Sequence, residues 1–360
     1  MTNVPDKTPV HGGDVYLLAR TLGVNLDDLL DFSANINPLG FPPGLNGAVQ
    51  EAMREIVHYP DRRSLKLRAA LSDYHRLTPD EILVGNGSTE LIYLVARALR
   101  PRRGLVVTPA FSEYEHALNL AGVPADFYPT EESHHFTLSD VPEPQAGDLV
   151  FLAHPASPSG VLLDPELFLR LAARAEAAGA YVLLDEAFVD FVEEASLKIH
   201  LGRFPHLLIL RSFTKFFGIP GMRLGFLLGA PALVAQLSEA QEPWSVNTMA
   251  QAMGRACLAD SEYIGRTRAL IKQEREFLFQ RLAAQPELAP FPSLVNYLLV
   301  KLTGPGMSAA DLREKMLAHR IVIRDASNFR GLDERFFRLA VRGRQENERL
   351  LQALEQCLKR

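Results

Sequence analysis

The chain has 360 residues, 47% of them hydrophobic and 22% charged, enough for a self-sufficient core and long enough for two domains. Its formal charge of −5 provides no basic stripe for a nucleic-acid backbone, and no apolar run approaches the ~18 residues of a membrane helix. Two cysteines, Cys257 and Cys357, form no close ligand pair, so neither a structural disulfide nor a metal site is expected.

Residues 1–40 read as an irregular N-terminal arm packing near the active site. The start, "MTNVPDKTPVHGG", is polar and broken by prolines, without the apolar segment of a signal peptide, so a cytoplasmic location is expected. Within the arm, "DVYLLARTLGV" has helical spacing and "DFSANINPLGFPPG" is a loop. "LNGAVQEAMREIV" and "SLKLRAALSDYH" follow as amphipathic helices. "EILVGNGSTELIYLVARALR" reads as a strand, a glycine turn and a helix. The short apolar runs "GLVVTPAF", "DLVFLAHP", "YVLLDEAFV" and "LLILRSF" are strands, with helices such as "PELFLRLAARAEAAGA" between some of them. Uninterrupted apolar strands alternating with helices predict a parallel sheet covered on both faces, hence an α/β domain over residues 41–247. One long helix is predicted over 248–285. "LVNYLLVKL", a helix at 308–319, "IVIRDA", "FFRLAVR" and a last helix complete a small α+β domain over 248–360.

Open parallel sheets gather their sites at the C-terminal ends of strands. Those ends carry Gly87, Ser88 and Thr89, then Phe111, Ser157, Asp185, and Ser212 with Lys215. "GNGSTE" opens a helix whose free N–H groups suit a phosphate, although a capped turn would look the same. Asp185 closes an apolar run, where it either caps a turn or keeps a heterocyclic nitrogen protonated. Phe111 is either core or a stacking surface. Lys215, in "RSFTKFFGIPGMRLG", is either a solvated loop lysine or an amine desolvated by rings and able to add to an aldehyde. Arg223, eight residues on, suits a dianion. Arg335, Arg338, Arg342 and Arg344 concentrate positive charge locally, suiting a small anion rather than a polymer.

Taken together, the order "GNG-[ST]", an aromatic after "TP", "DEAF", "S-x-T-K" and an arginine eight residues later resembles the class I/II aminotransferase-like family over nearly the whole chain. The resemblance implies the fold-type I architecture, a large domain with a mostly parallel sheet and a small α+β domain, and pyridoxal 5′-phosphate as cofactor. It implies that Lys215 forms the Schiff base and moves protons, that Asp185 pairs with the pyridinium nitrogen, and that Phe111 stacks on the ring. Gly87, Ser88, Thr89, Ser212 and Arg223 would hold the phosphate, joined by Tyr59 of "HYPD" reaching across a homodimer with shared active sites. Arg338, in "FFRLAV", would grip the substrate α-carboxylate. Ser157 departs from the pattern: it stands in "SPSG" where relatives place an asparagine on the cofactor's 3-oxygen.

Two branches of the family fit. The one acting on histidinol phosphate by transamination shares the overall pattern. The one decarboxylating threonine phosphate in cobalamin biosynthesis shares in addition "HGG", "DFSANINPLG", "PWSVN" and a close match to "QENERLL". The second is favoured, with a small phosphorylated amino acid as substrate and serine phosphate as an open alternative. Candidate phosphate anchors are His11, Gly12, Asn35, Arg324 and Arg342, with Arg324 foremost. A non-catalytic, DNA-reading regulator of this fold would need a helix-turn-helix domain, which the arm does not contain.

Overall fold

A computed structural model describes residues 11–140, 142–304 and 306–359. Residues 1–10 of the expected arm lie outside the described residues. The arm begins with helix α1 (Val15–Leu22), stopped by Gly23 in the left-handed conformation, and ends in the two-residue strand β1 (Leu30–Asp31). β1 runs parallel to Ile321–Val322, near the other end of the chain. The arm is therefore bonded into the C-terminal part of the molecule.

Helices α2 (Leu45–Met53) and α3 (Leu65–His75) precede the main sheet. Its elements follow in the order β2 (Ile82–Gly85), α4 (Gly87–Leu99), β3 (Arg103–Thr108), α5 (Glu113–Leu120), β4 (Ala125–Pro129) and β5 (Asp148–Ala153). Then come α6 (Pro165–Ala178), β6 (Tyr181–Asp185), β7 (Leu207–Ser212), β8 (Gly225–Gly229) and α7 (Pro231–Ala240). In space the seven strands run β2-β8-β7-β6-β5-β3-β4. β8 alone is antiparallel to its neighbours. The apolar runs are continuous because alternate residues serve two cores. Leu149, Phe151, Leu183, Leu208 and Leu210 point into one buried cluster, and Val150, Leu152, Val182, Leu184 and Ile209 into the other.

The single helix expected over 248–285 is two helices, α8 (Thr248–Ala259) and α9 (Ser261–Ala283). Asp260 interrupts them: its carboxylate accepts from the Tyr263 N–H at 2.9 Å and starts α9 as a new helix. Beyond lie β9 (Leu288–Pro290), β10 (Tyr297–Leu302), α10 (Ala309–Ala318), β11 (Ile321–Val322), β12 (Arg324–Asp325), β13 (Phe336–Ala340) and α11 (Arg344–Leu358). "IVIRDA", expected as one strand, is divided at Ile323, because β11 pairs with the arm's β1 whereas β12 joins the antiparallel sheet β12-β13-β10-β9. Among the described residues no helix is long and apolar enough to cross a membrane.

Candidate active site

One cavity collects side chains from the ends of β2, β3, β5, β6 and β7, from the arm and from the small sheet. On one side, Asn86 leads into α4 without a side-chain cap, which leaves the helix's first N–H groups for a ligand. Ser88 and Thr89 line the cavity there, with Ser212 and Arg223 beside them. Two glycines make that approach possible. A Cβ on Gly87, whose φ is +82°, would lie 2.5 Å from the Arg223 guanidinium, and one on Gly225 would lie 2.5 Å from the Ser88 nitrogen. The reversed strand β8 serves the same end, since its antiparallel entry brings Arg223 back to the start of α4. Arg223 itself adopts a left-handed backbone, φ 57°, uncommon for a residue with a side chain.

Asp185 ends β6 at the cavity. Its Oδ2 accepts from the Tyr114 hydroxyl at 2.5 Å and its Oδ1 from the Ala187 N–H at 2.9 Å. Burial raises its pKa; the two donors and the charge of Lys215 oppose that rise. A carboxylate so placed is predisposed to a cationic partner. Burial, then repulsion from Arg338 and Arg223, lowers Lys215 to about 8, with Asp185 working against the drop. The amine is thus available in its neutral form near physiological pH. Phe111 lines the cavity wall, edge-on to Tyr114 with centroids 5.9 Å apart.

A buried ionic cluster braces the strands that carry these two groups. Arg211, the residue before Ser212 on β7, has no exposed surface. Its guanidinium donates to Glu186, which follows Asp185, at 3.1 Å, to Asp190 at 2.8 Å, and to Glu193. Three acids around one arginine offset the cost of burying its charge, and breaking such a cluster leaves uncompensated charge. The arm adds a second brace: the Asn37 N–H donates to the Lys215 carbonyl at 3.1 Å, and Asn37 Nδ2 contacts Phe216 O, Tyr263 Oη and Thr267 Oγ1 within 2.8 Å.

The opposite side of the cavity is cationic. Arg324 on β12 stands in register with Arg338 on β13, and both line the cavity. Asn328 Oδ1 accepts from Arg324 at 2.7 Å. Arg338 makes long contacts to Ser157 Oγ (3.4 Å) and Ser33 O (3.5 Å), and its buried Nε has no partner among the described residues. Burial holds Arg338 down, to about 10, with Arg324 adding to the effect and Tyr297 opposing it. A guanidinium enclosed among neutral oxygens calls for an anion. His11, Gly12 and Asn35 line the same cavity from the arm. His11 Nε2 lies 2.6 Å from the Glu113 carboxylate, which Tyr93 also contacts. The Asn35 carbonyl accepts from Asn296 at 2.8 Å.

Two expected residues lie elsewhere. Arg342 does not line the cavity: it is paired with Glu346 one turn along α11 at 2.6 Å and donates to the Asp31 carbonyl, so it ties β1 to α11. Tyr59 is 80% exposed and stacked on Trp244 at 4.7 Å, away from the cavity of its own chain. Tyr114, Asn328 and Phe329 line the cavity without having been singled out from the sequence. Phe329 and Asn328 follow Arg324 closely in "RDASNF", which was a readable signal. Tyr114 looked like an ordinary helix-face aromatic.

The family model for aminotransferase class I and II matches residues 27–354, and the chain belongs to this family. Threonine-phosphate decarboxylase of Salmonella typhimurium is 39% identical over 97% of this chain and 96% of its own length. An adenosylcobalamin biosynthesis bifunctional protein of Leptospira interrogans is 30% identical over 96% of this chain, which spans 40% of that longer protein. The crystal structure of L-threonine-O-3-phosphate decarboxylase from Porphyromonas gingivalis superposes with a TM-score of 0.83 at 28% identity, over 92% of this chain and all of that one.

Proposed function

We propose that the chain is a pyridoxal 5′-phosphate-dependent decarboxylase that converts L-threonine O-phosphate into (R)-1-amino-2-propanol O-phosphate and carbon dioxide in cobalamin biosynthesis. The observation that carries this reading is one cavity holding a lysine of lowered pKa, an enclosed carboxylate, an uncapped helix start and two facing arginines. The donor set fits the cofactor. Ser88, Thr89, Ser212, Arg223 and the α4 N–H groups suit its phosphate, Asp185 its ring nitrogen, Phe111 its flat face and Lys215 its aldehyde. Ser157, within 3.4 Å of Arg338, replaces the expected asparagine and ties the cofactor side of the pocket to the substrate side.

When bound, the cofactor supplies an aldehyde that condenses with amines and a protonated ring that takes up the electron pair of a bond broken at the substrate Cα. The residues decide which bond that is. Arg324, aided by His11, Gly12 and Asn35, holds the substrate phosphate, and Arg338 holds the carboxylate. With both ends fixed, the residues would present the Cα–carboxylate bond, rather than the Cα–H bond, for cleavage. Lys215, with a pKa of about 8 and so largely protonated at neutral pH, would supply the proton that replaces the carboxylate at Cα. Asp185 keeps the ring nitrogen protonated throughout, and the enclosing walls exclude water.

A homodimer belongs to this reading, with Tyr59 serving the neighbouring subunit's cofactor phosphate. Its exposure and its distance from its own cavity support that role. Incubating the enzyme with threonine phosphate and scoring carbon dioxide against keto acid tests the reaction. Carbon dioxide with aminopropanol phosphate is expected; keto acid alone would make the protein an aminotransferase. Serine phosphate, lacking one methyl group, is expected to react with an efficiency lower by about 10- to 100-fold.

A further inference from the structure

Arg324 and Arg338 form a directly opposed pair on adjacent antiparallel strands. Like charges in such a pair repel, and both guanidinium groups have lost much of their water. Among the described residues no carboxylate bonds to Arg338. What both share is an aromatic ring. The Arg324 guanidinium carbon lies over Phe329 at 5.5 Å from the centroid, and that of Arg338 lies over the same ring at 5.8 Å. Arg338 also lies over Tyr297, at 5.2 Å.

The Phe329 ring is well fixed. Only 8% of the residue is exposed, and it belongs to a separate buried cluster with Phe136, Phe291, Leu299, Ala326 and Phe336. Its N–H donates to the Ala326 carbonyl at 3.0 Å, and its carbonyl accepts from Leu332 at 3.0 Å. An aromatic face attracts cations and carries no charge that would compete for the arginines when an anion arrives.

We propose that Phe329 is a positioning residue, the common platform that holds Arg324 and Arg338 at a fixed separation and so selects substrates by the distance between their two anionic groups. This rests on the reading that the two arginines grip opposite ends of one substrate. A flexible side chain at 329 would leave each guanidinium able to bind an anion, but would release the spacing between them.

The probes are 3-phosphoglycerate and inorganic phosphate, titrated calorimetrically into the cofactor-loaded enzyme. 3-Phosphoglycerate carries a carboxylate and a phosphate at the spacing found in serine phosphate and has no amine, so it binds without turnover. Phe329→Leu should weaken 3-phosphoglycerate by about tenfold or more and inorganic phosphate by less than about threefold. Phe329→Tyr, which keeps the ring, should restore wild-type binding of both. Should the leucine variant not fold, Phe329→Met repeats the test. Equal losses for the two ligands, or unchanged binding of 3-phosphoglycerate, would overturn the proposal. Variants that show the pattern, beside a wild type that releases no carbon dioxide from threonine phosphate, would sink the decarboxylase reading and support the platform.

Discussion

Tyr114 donates its hydroxyl to Asp185 at 2.5 Å, from a ring stacked on Phe151 with centroids 5.1 Å apart. The carboxylate that is to face the cofactor nitrogen is therefore held by a donor whose position the core itself fixes. Tyr114→Phe keeps the ring and removes the bond. A hydrogen bond to a charged group contributes ~1.5–3 kcal/mol, so cofactor affinity should fall by roughly tenfold or more. Equilibrium dialysis measures it, and an unchanged dissociation constant would show that the bond has no bearing on the cofactor.

The amine of Lys215 should reveal its environment through pH. Because the folded protein lowers its pKa from 10.5 to about 8, the neutral, reactive form appears at lower pH than in a solvated lysine. In cofactor-free protein, the rate of pyridoxal capture, followed by visible absorbance, should climb through pH 8 and level off above it. A midpoint near 10.5 would place the lysine in solvent. Lys215→Ala should remain colourless.

Opposed arginines predict a large loss of activity at little cost in stability. Arg324→Met removes one of two like charges that face each other without substrate. The cross-strand repulsion relieved, ~0.2–1 kcal/mol, offsets part of what is lost with the 2.7 Å bond to Asn328, so the melting midpoint should fall by no more than a few degrees. In the same variant kcat/KM should drop about 100-fold or more, since truncating a buried charged contact costs ~2–5 kcal/mol. Calorimetric melts and steady-state rates check both, and a midpoint lower by about ten degrees or more would contradict the repulsion.

Tyr59 offers a test of shared sites. Mixing subunits that carry Tyr59→Ala with subunits that carry Lys215→Ala, and letting them reassort, should recover about one quarter of wild-type activity. The recovered sites would combine Lys215 from one chain with Tyr59 from the other. No recovery would mean that Tyr59 acts within its own chain, and full activity of the Tyr59→Ala protein alone would mean that it does not act at all.

Local chemistry made much of the site legible. Asp185 ends an apolar run and Lys215 sits among phenylalanines, and a charged residue in such a place is visible in the sequence because burial makes it costly. The parallel core was equally visible, as strands apolar on both faces. Features set by pairing between distant segments were not. Nothing local distinguishes β8 as the reversed strand, puts Arg324 opposite Arg338, or turns Arg342 toward Glu346 and away from the cavity. Asp260 is of a residue type that caps helices, yet apolar periodicity runs on either side of it and reads as one helix. Ser157 was noticed for what it replaces; its contact with Arg338 needed the fold.

The pairing of β1 with β11 has a consequence for how the protein is made. Leu30 leaves the ribosome well ahead of Ile321 and must wait for it before its strand has a partner. His11, Gly12 and Asn35, which flank that strand and line the pocket, are anchored through it only after Ile321 has been made. A nascent chain stalled before residue 321 would hold Lys215 and Asp185 in an unfinished, open cleft. The residues proposed to read the substrate are thus placed after those proposed to hold the cofactor.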